Sequence, residues 1–429
     1  MNASNHHLSR RKFSTLLAKG FLGTVGMGFL PASILEARES APAMTITKIE
    51  GIRFNPDIKI GGGSGGADGA EFFWVRLHTD QGIVGIGETY PFSNGELGAL
   101  KDYSRLLIGR DPRDIDGIWK RMYHDMSMRN AGGADMRILS AVNMAQLDIL
   151  GIATGQPLYR LLGGKSREQI KVYNTVTDYW AINDMKMASD TPAITRFLLD
   201  RGIKAMKIYP FEQSRGPYIT HGEIERGLDW IREIREEAGM DMDICIDCWG
   251  RYDLASAKRI AKALEPYNIL YMEDVMLMNN AKAYASLVQE TSVPICHSET
   301  LATRYEYREF LELGACDVVM FDLSWCGGIT EAKKISDFAD TYLIPVSPHT
   351  AGGPLLWAAS THLMTAVPNF MIMESNYWKY SHQYPYFIED IPTPVNGYVV
   401  APEKPGLGVT IREELFTSGD AIIETIAEK

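Results

Sequence analysis

DICIDCWGRYDLASAKRIAKALEPYNILYME, residues 243–273, reads as strand, helix, strand, and each strand closes on an acid: Asp247 and then Glu273. Both strand runs are apolar and too short for a helix, as expected of buried parallel strands. The same construction repeats outward in both directions. Lys207 stands in AMKIY, Glu299 in PICHSE, Asp322 in DVVMFD, His349 in IPVSPH and Glu374 in FMIMES. From Asp247 onward the members lie roughly 23–27 residues apart, close to the about 31 per unit of an eight-unit strand–helix barrel. A charge at the end of a buried strand costs several kcal/mol unless something pairs it. Seven in series therefore predict convergence on one site.

The segments between these strands carry helical periodicity, including HGEIERGLDWIREIREEAG, AKAYASLVQET, RYEYREFLELG and ITEAKKISDFADTY. Such alternation predicts an α/β fold, a TIM (β/α) barrel over residues 166–395. An open doubly wound sheet would bring a Gly-rich turn after its first strand, and none is present. Residues 44–165 read differently. Three strand-like runs, TITKIEGIRF, EFFWVRLHTD and IVGIGETY, precede helical segments from 97 to 163, which predicts a compact α+β domain. The GGGSGGADG stretch at 61–69 lacks the Lys-Ser/Thr of a phosphate loop and reads as a flap. NGYVVAPEKPGLGVTI, residues 396–411, reads as loop-like, and the C-terminal segment 396–429 is expected to return to the first domain.

The net charge is −11, and residues 1–43 hold five Lys/Arg against two Asp/Glu, so the remainder carries −14. An acidic body without basic clusters argues against nucleic acid or an anionic membrane as partner. A small anionic substrate stays compatible, because a metal reverses the sign locally. Residues 1–43 read as a signal peptide. Ser9-Arg10-Arg11-Lys12-Phe13 is a twin-arginine signature, an apolar stretch runs from Leu16 to Leu30, and Ala41-Pro42-Ala43 offers a small-residue cleavage site. Lys19 and several glycines make that stretch a poor spanning helix. The expectation is export, to a periplasmic location, with no stable membrane insertion after cleavage. Cys245 and Cys248 mimic a CxxC pair, but three apart on a strand they point to opposite faces. All five cysteines are expected to be buried and unpaired.

Asp247, Glu273 and Glu299 end consecutive strands with no His or Cys of ligand spacing, a donor set suited to a hard cation such as Mg²⁺. Asp322 and His349 end the next two strands, where the carboxylate orients the imidazole as a general base. Lys207 and Tyr209 share one face, and Lys207 would enter the cavity opposite His349, its pKa depressed beside a cation. Glu374, if protonated, would hydrogen-bond a developing oxyanion. His297 is expected on the face of Glu299 as a core or supporting residue. Together these parts describe removal of a proton alpha to a carboxylate.

At this point the chain resembles the mandelate racemase subgroup of the enolase superfamily. The resemblance rests on VRLHTDQGIVGIGE, LLIGRDP, AVNMAQLDILGIATGQPLYRLLGG and PGLG outside the barrel. Within the barrel it rests on GIKAMK, the three acids, WCGGITEA and the Asp322/His349/Glu374 series. It implies a capping domain over a modified TIM barrel, Mg²⁺ on Asp247, Glu273 and Glu299, a His349–Asp322 base and an electrophilic Glu374. It also implies a homo-oligomer. The DCW and WCGG strings are similar to those of L-rhamnonate dehydratases. Many subgroup members place a second Lys or another acid/base residue where Tyr209 stands. The implied activity is dehydration of an acid sugar to a 2-keto-3-deoxy acid. The alternatives are a racemase or epimerase, a cycloisomerase acting on an anhydro-sugar acid, or a sugar-acid binder without catalysis.

Overall fold

The protein is described by a computed structural model over residues 43–60, 70–90, 95–126 and 132–428. The twin-arginine signature and the 61–69 flap lie outside the described residues. Strands β1 (Ile46–Phe54), β2 (Phe73–Thr79) and β3 (Val84–Thr89) form an antiparallel meander. The last strand of the chain, Ala421–Glu428, pairs antiparallel with β1 and makes a fourth member of this sheet. Helices α1 (Gly95–Leu107), α2 (Ile115–Asp125) and α3 (Gly133–Thr154) cover it. The glycines of VGIGE have a packing reason. A Cβ at Gly85 or Gly87 would stand 2.2 or 1.9 Å from the carbonyl oxygens of Ala145 and Ala141 on α3, so only glycine lets β3 lie against that helix.

The barrel is a parallel sheet running β10, β4, β5, β6, β7, β8, β9, composed of β4 (Ile170–Thr175), β5 (Ala205–Ile208), β6 (Asp243–Asp247), β7 (Tyr271–Glu273), β8 (Ile295–His297), β9 (Val318–Val319) and β10 (Met373–Ser375). Residues 345–349 close the gap between β9 and β10 by backbone hydrogen bonds, including Ser347 to Val319 and Met371 to Val346. Between the strands run α4 (Met187–Leu199), α5 (His221–Ala238), α6 (Leu254–Leu264), α7 (Ala281–Glu290), α8 (Thr303–Glu312), α9 (Ile329–Thr341) and α10 (Pro354–Ala366). Their starts follow local chemistry. Thr220 and Glu223 form a capping box on α5, Asp253 caps α6 and Asn280 caps α7.

A buried cluster of Tyr173, Ala205, Cys245, Tyr271, Cys296, Val318, Met320 and Ile372 marks the side chains that point into the barrel. Period-two alternation then carries residues 175, 207, 247, 273, 322 and 374 inward at the carboxyl ends of the same strands. Strand β8 breaks that rule. Cys296 points inward, and Ser298 takes a left-handed φ of 106°, which shifts the alternation before Glu299. His297 consequently faces out, packed between Tyr284 and Phe310 at ring distances of 4.3 and 4.8 Å. It does not share the face of Glu299. All five cysteines are buried and free, and Cys245 and Cys248 enter different clusters on opposite sides of β6.

Candidate active site

The strand ends bring the charged series together. Lys207 Nζ, fully buried, lies 2.7 Å from Glu273 Oε1, 3.3 Å from Asp247 Oδ2 and 3.2 Å from Glu374 Oε1. Glu374 bridges Lys207 and His349, because its Oε2 is 3.8 Å from His349 Nε2. His349 Nδ1 stands 2.8 Å from Asp322 Oδ2. Asp322 Oδ1 accepts from the amide and the hydroxyl of Ser324, both at 2.6 Å. With Asp322 so held, Nδ1 is the nitrogen that carries the proton in the neutral ring, and the Nε2 lone pair faces Glu299 Oε2 at 3.4 Å. Trp325 packs against the imidazole with ring centroids 5.0 Å apart.

The charges act on one another strongly. Burial disfavours charge on Lys207, yet Glu273, Glu374, Tyr209 and Asp247 outweigh it and hold the ammonium well above its usual range. The depressed Lys207 expected from sequence was tied to a neighbouring cation, and these carboxylates pull in the opposite direction. Burial likewise opposes ionisation of Glu374, but Lys207, His349, Thr175 and the Thr350 amide bring it down to about 2. It is a carboxylate here, accepting from the Thr175 hydroxyl and, at 2.8 Å, from Thr350 N. The protonated donor expected from sequence is therefore not the state this arrangement favours. Burial also opposes charge on His349, while Glu299, Glu374 and Asp322 carry it up to about 10. Tyr209 stands beside Asp247 with its ring 5.4 Å from that of Trp249, and burial foremost keeps its phenol neutral.

Asp247, Glu273 and Glu299 do end neighbouring strands, and Asp247 is paired in register with Glu273. Two observations suit a hard cation among them. Glu273 Oε2 is buried without a hydrogen-bond partner. Burial, and then repulsion among these carboxylates, pushes Glu273 and Glu299 upward, with Lys207 and His349 as the partial counterweights. The fit is of donor chemistry rather than of finished geometry. Among the described residues no three His, Cys, Asp or Glu side chains yet enclose an ion, and Lys207 holds two of the acids.

Several participants carry no signal in the sequence. Thr175 closes β4 without a charge and donates its hydroxyl to Glu374. Asp274 is buried beside Glu299 and Asp247 in a left-handed conformation (φ 43°) and accepts from Ser298 N at 3.1 Å. The acid after Glu273 was visible, but nothing in its spacing marked it as buried.

Comparison with known proteins agrees with this geometry. Residues 193–415 match the enolase C-terminal domain-like family, and residues 57–163 match the mandelate racemase / muconate lactonizing enzyme N-terminal domain. A D-galactonate dehydratase of Pectobacterium atrosepticum is 32% identical over 382 residues, 87% of this chain and 93% of that protein. A D-xylonate dehydratase of Haloferax volcanii is 30% identical over 344 residues, 79% and 82% of the two chains. The crystal structure of a mandelate racemase subgroup enolase from Agrobacterium tumefaciens superposes with a TM-score of 0.80 at 34% identity, covering 90% of this chain and 99% of that one. The match of both domains, together with relatives of this identity and coverage, makes the chain an enzyme of the enolase superfamily, in its mandelate racemase subgroup.

Proposed function

We propose that the enzyme dehydrates an acid sugar to its 2-keto-3-deoxy acid. The observation that carries the reading is the His349–Asp322 pair, 2.8 Å apart, with Nε2 turned towards Glu299 and Glu374. On this reading neutral His349 takes the proton alpha to the substrate carboxylate, breaking the C–H bond and leaving the electron pair on the enolate. The same imidazolium then gives a proton to the beta-hydroxyl, which departs as water, and the enol tautomerises to the keto acid. Lys207 lies across Glu374 from His349 and supports the negative charge that builds on the substrate. Asp247, Glu273 and Glu299 would hold Mg²⁺, which when bound supplies positive charge for the substrate carboxylate and its enolate. Neutralising Glu299 would also remove the largest attraction holding the proton on His349. The related D-galactonate and D-xylonate dehydratases support the reaction class.

Lys207 also supports a second reading. It flanks the same Glu374 as His349 does, and two groups on two faces are what an epimerase requires. A library of aldonic and aldaric acids with Mg²⁺, scored for 2-keto-3-deoxy acids, tests the proposal. At least one acid should be converted. A folded enzyme that forms no keto acid from any member contradicts it.

A further inference from the structure

The loop of residues 350–353, between His349 and α10, is gripped from two sides by buried groups of opposite charge. On one side is Lys379, 2% exposed, in the helical turn that follows β10. Its Nζ donates to the carbonyl oxygens of Ala351 and Gly352 at 2.6 and 3.1 Å. The ammonium sits 4.1 Å from the ring centroid of Trp180 and 5.9 Å from that of Tyr90. On the other side is Glu88, wholly buried at the end of β3 in the capping domain. Its carboxylate accepts from Gly353 N at 2.7 Å, Leu356 N at 3.1 Å and Leu355 N at 3.2 Å, at the N-terminus of α10. Trp74 Nε1 donates to it from β2 at 2.8 Å. A Cβ on Gly353 would stand 2.5 Å from Glu88 Oε2, so the loop is built for this approach.

Neither group touches the reacting atoms, and both are costly to bury. Burial pushes Glu88 up to about 7 and Lys379 down to about 8, with Glu71, Glu88 and Glu374 as the acids that oppose the fall of Lys379. Four donors and no acceptor around Glu88 nevertheless suit only a carboxylate. Such costs are kept where they position something. What they hold is the segment that begins at His349 and continues through Thr350, whose amide and hydroxyl bind Glu374.

We propose that Glu88 and Lys379 are positioning residues for the active site, clamping loop 350–353 so that seating of the capping domain sets the orientation of His349 and Glu374. The inference rests on His349 serving as the base.

The test uses the full-length enzyme with Glu88→Gln and Lys379→Met, each confirmed as folded by its cooperative thermal transition. On an acid sugar turned over by the unmodified enzyme, kcat should fall on the order of 10–100-fold while KM changes less than about threefold. A purely structural role would lower Tm without that division. Histidine-ring nuclear magnetic resonance supplies a readout independent of turnover. The His349 Nδ1 proton, assigned by its loss in His349→Asn, should shift or exchange faster in both variants. Should the methionine variant fail to fold, Glu88→Gln carries the same two measurements. An unmodified enzyme inert on every acid sugar overturns the dehydration reading, and the ring signal then decides the clamp. An unmoved His349 signal, or kcat within about twofold of the unmodified enzyme, overturns the clamp.

Discussion

On the proposed reading the chemistry turns on His349, and its pairing with Asp322 sets the test. Asparagine keeps a hydrogen bond to Asp322 within reach but cannot carry a proton in turnover. His349→Asn should therefore lose about 10²- to 10⁴-fold in kcat and still fold, as measured by steady-state assay beside circular dichroism. Unchanged turnover would remove His349 as the base. The three acids make a second prediction. Mg²⁺ should raise the thermal midpoint of the unmodified enzyme, because it binds the folded state and relieves repulsion among Asp247, Glu273 and Glu299. In Glu273→Gln that rise should be lost, and an equal rise in both proteins would place the ion elsewhere. Residues of this kind were readable in the sequence because a lone charge closing an apolar run has few structural excuses. Thr175 and Lys379 were not. One is uncharged, and the other lies in the helical turn after β10, outside the strand-end series, where a lysine normally faces water.

At the scale of elements, the period-two rule located the inward faces wherever the strands stay regular. It failed at β8, where the left-handed Ser298 carries Glu299 inward and leaves His297 against the outer helices. Sequence periodicity cannot register a single backbone inversion, since serine has no special preference for it. The ion pairs of Lys207 and Glu374 were not legible for a related reason: their partners come from different strands, and only the closed barrel sets them side by side. The capping sheet offers a prediction of its own. Burial opposes ionisation of Glu50 on β1, but Lys48, His78 and Arg76 bring its carboxyl from the ordinary 4.5 down to about 2. A depressed carboxyl stabilises fully above its unfolded value and loses that contribution as pH falls from about 4.5 towards about 2. In urea denaturation the difference between unmodified enzyme and Glu50→Gln should shrink as pH is lowered from about 6 to about 3. A constant difference would show that the three cations do not act through its charge.

For the whole molecule, the alternation of strands and helices made the barrel legible, whereas the strand Ala421–Glu428 that joins the capping sheet was not read from the sequence. The contact between the two parts was not legible, because it depends on groups distant in sequence. Asp148 on α3 joins Ile86 N of β3 to Leu407 N near the C-terminus at 3.1 and 2.8 Å, which gives the PGLG string its place. Glu88 reaches α10 across more than half the chain. The barrel supplies the acids and bases, and the capping domain closes over them. On the proposed reading this assembly removes an alpha proton and then expels a beta-hydroxyl. Turnover of a convertible acid sugar in heavy water tests it most directly, read by proton and deuterium resonance. A 2-keto-3-deoxy acid carrying deuterium at C3 is expected. Deuterium at C2 of recovered sugar acid, with no keto acid formed, would contradict it.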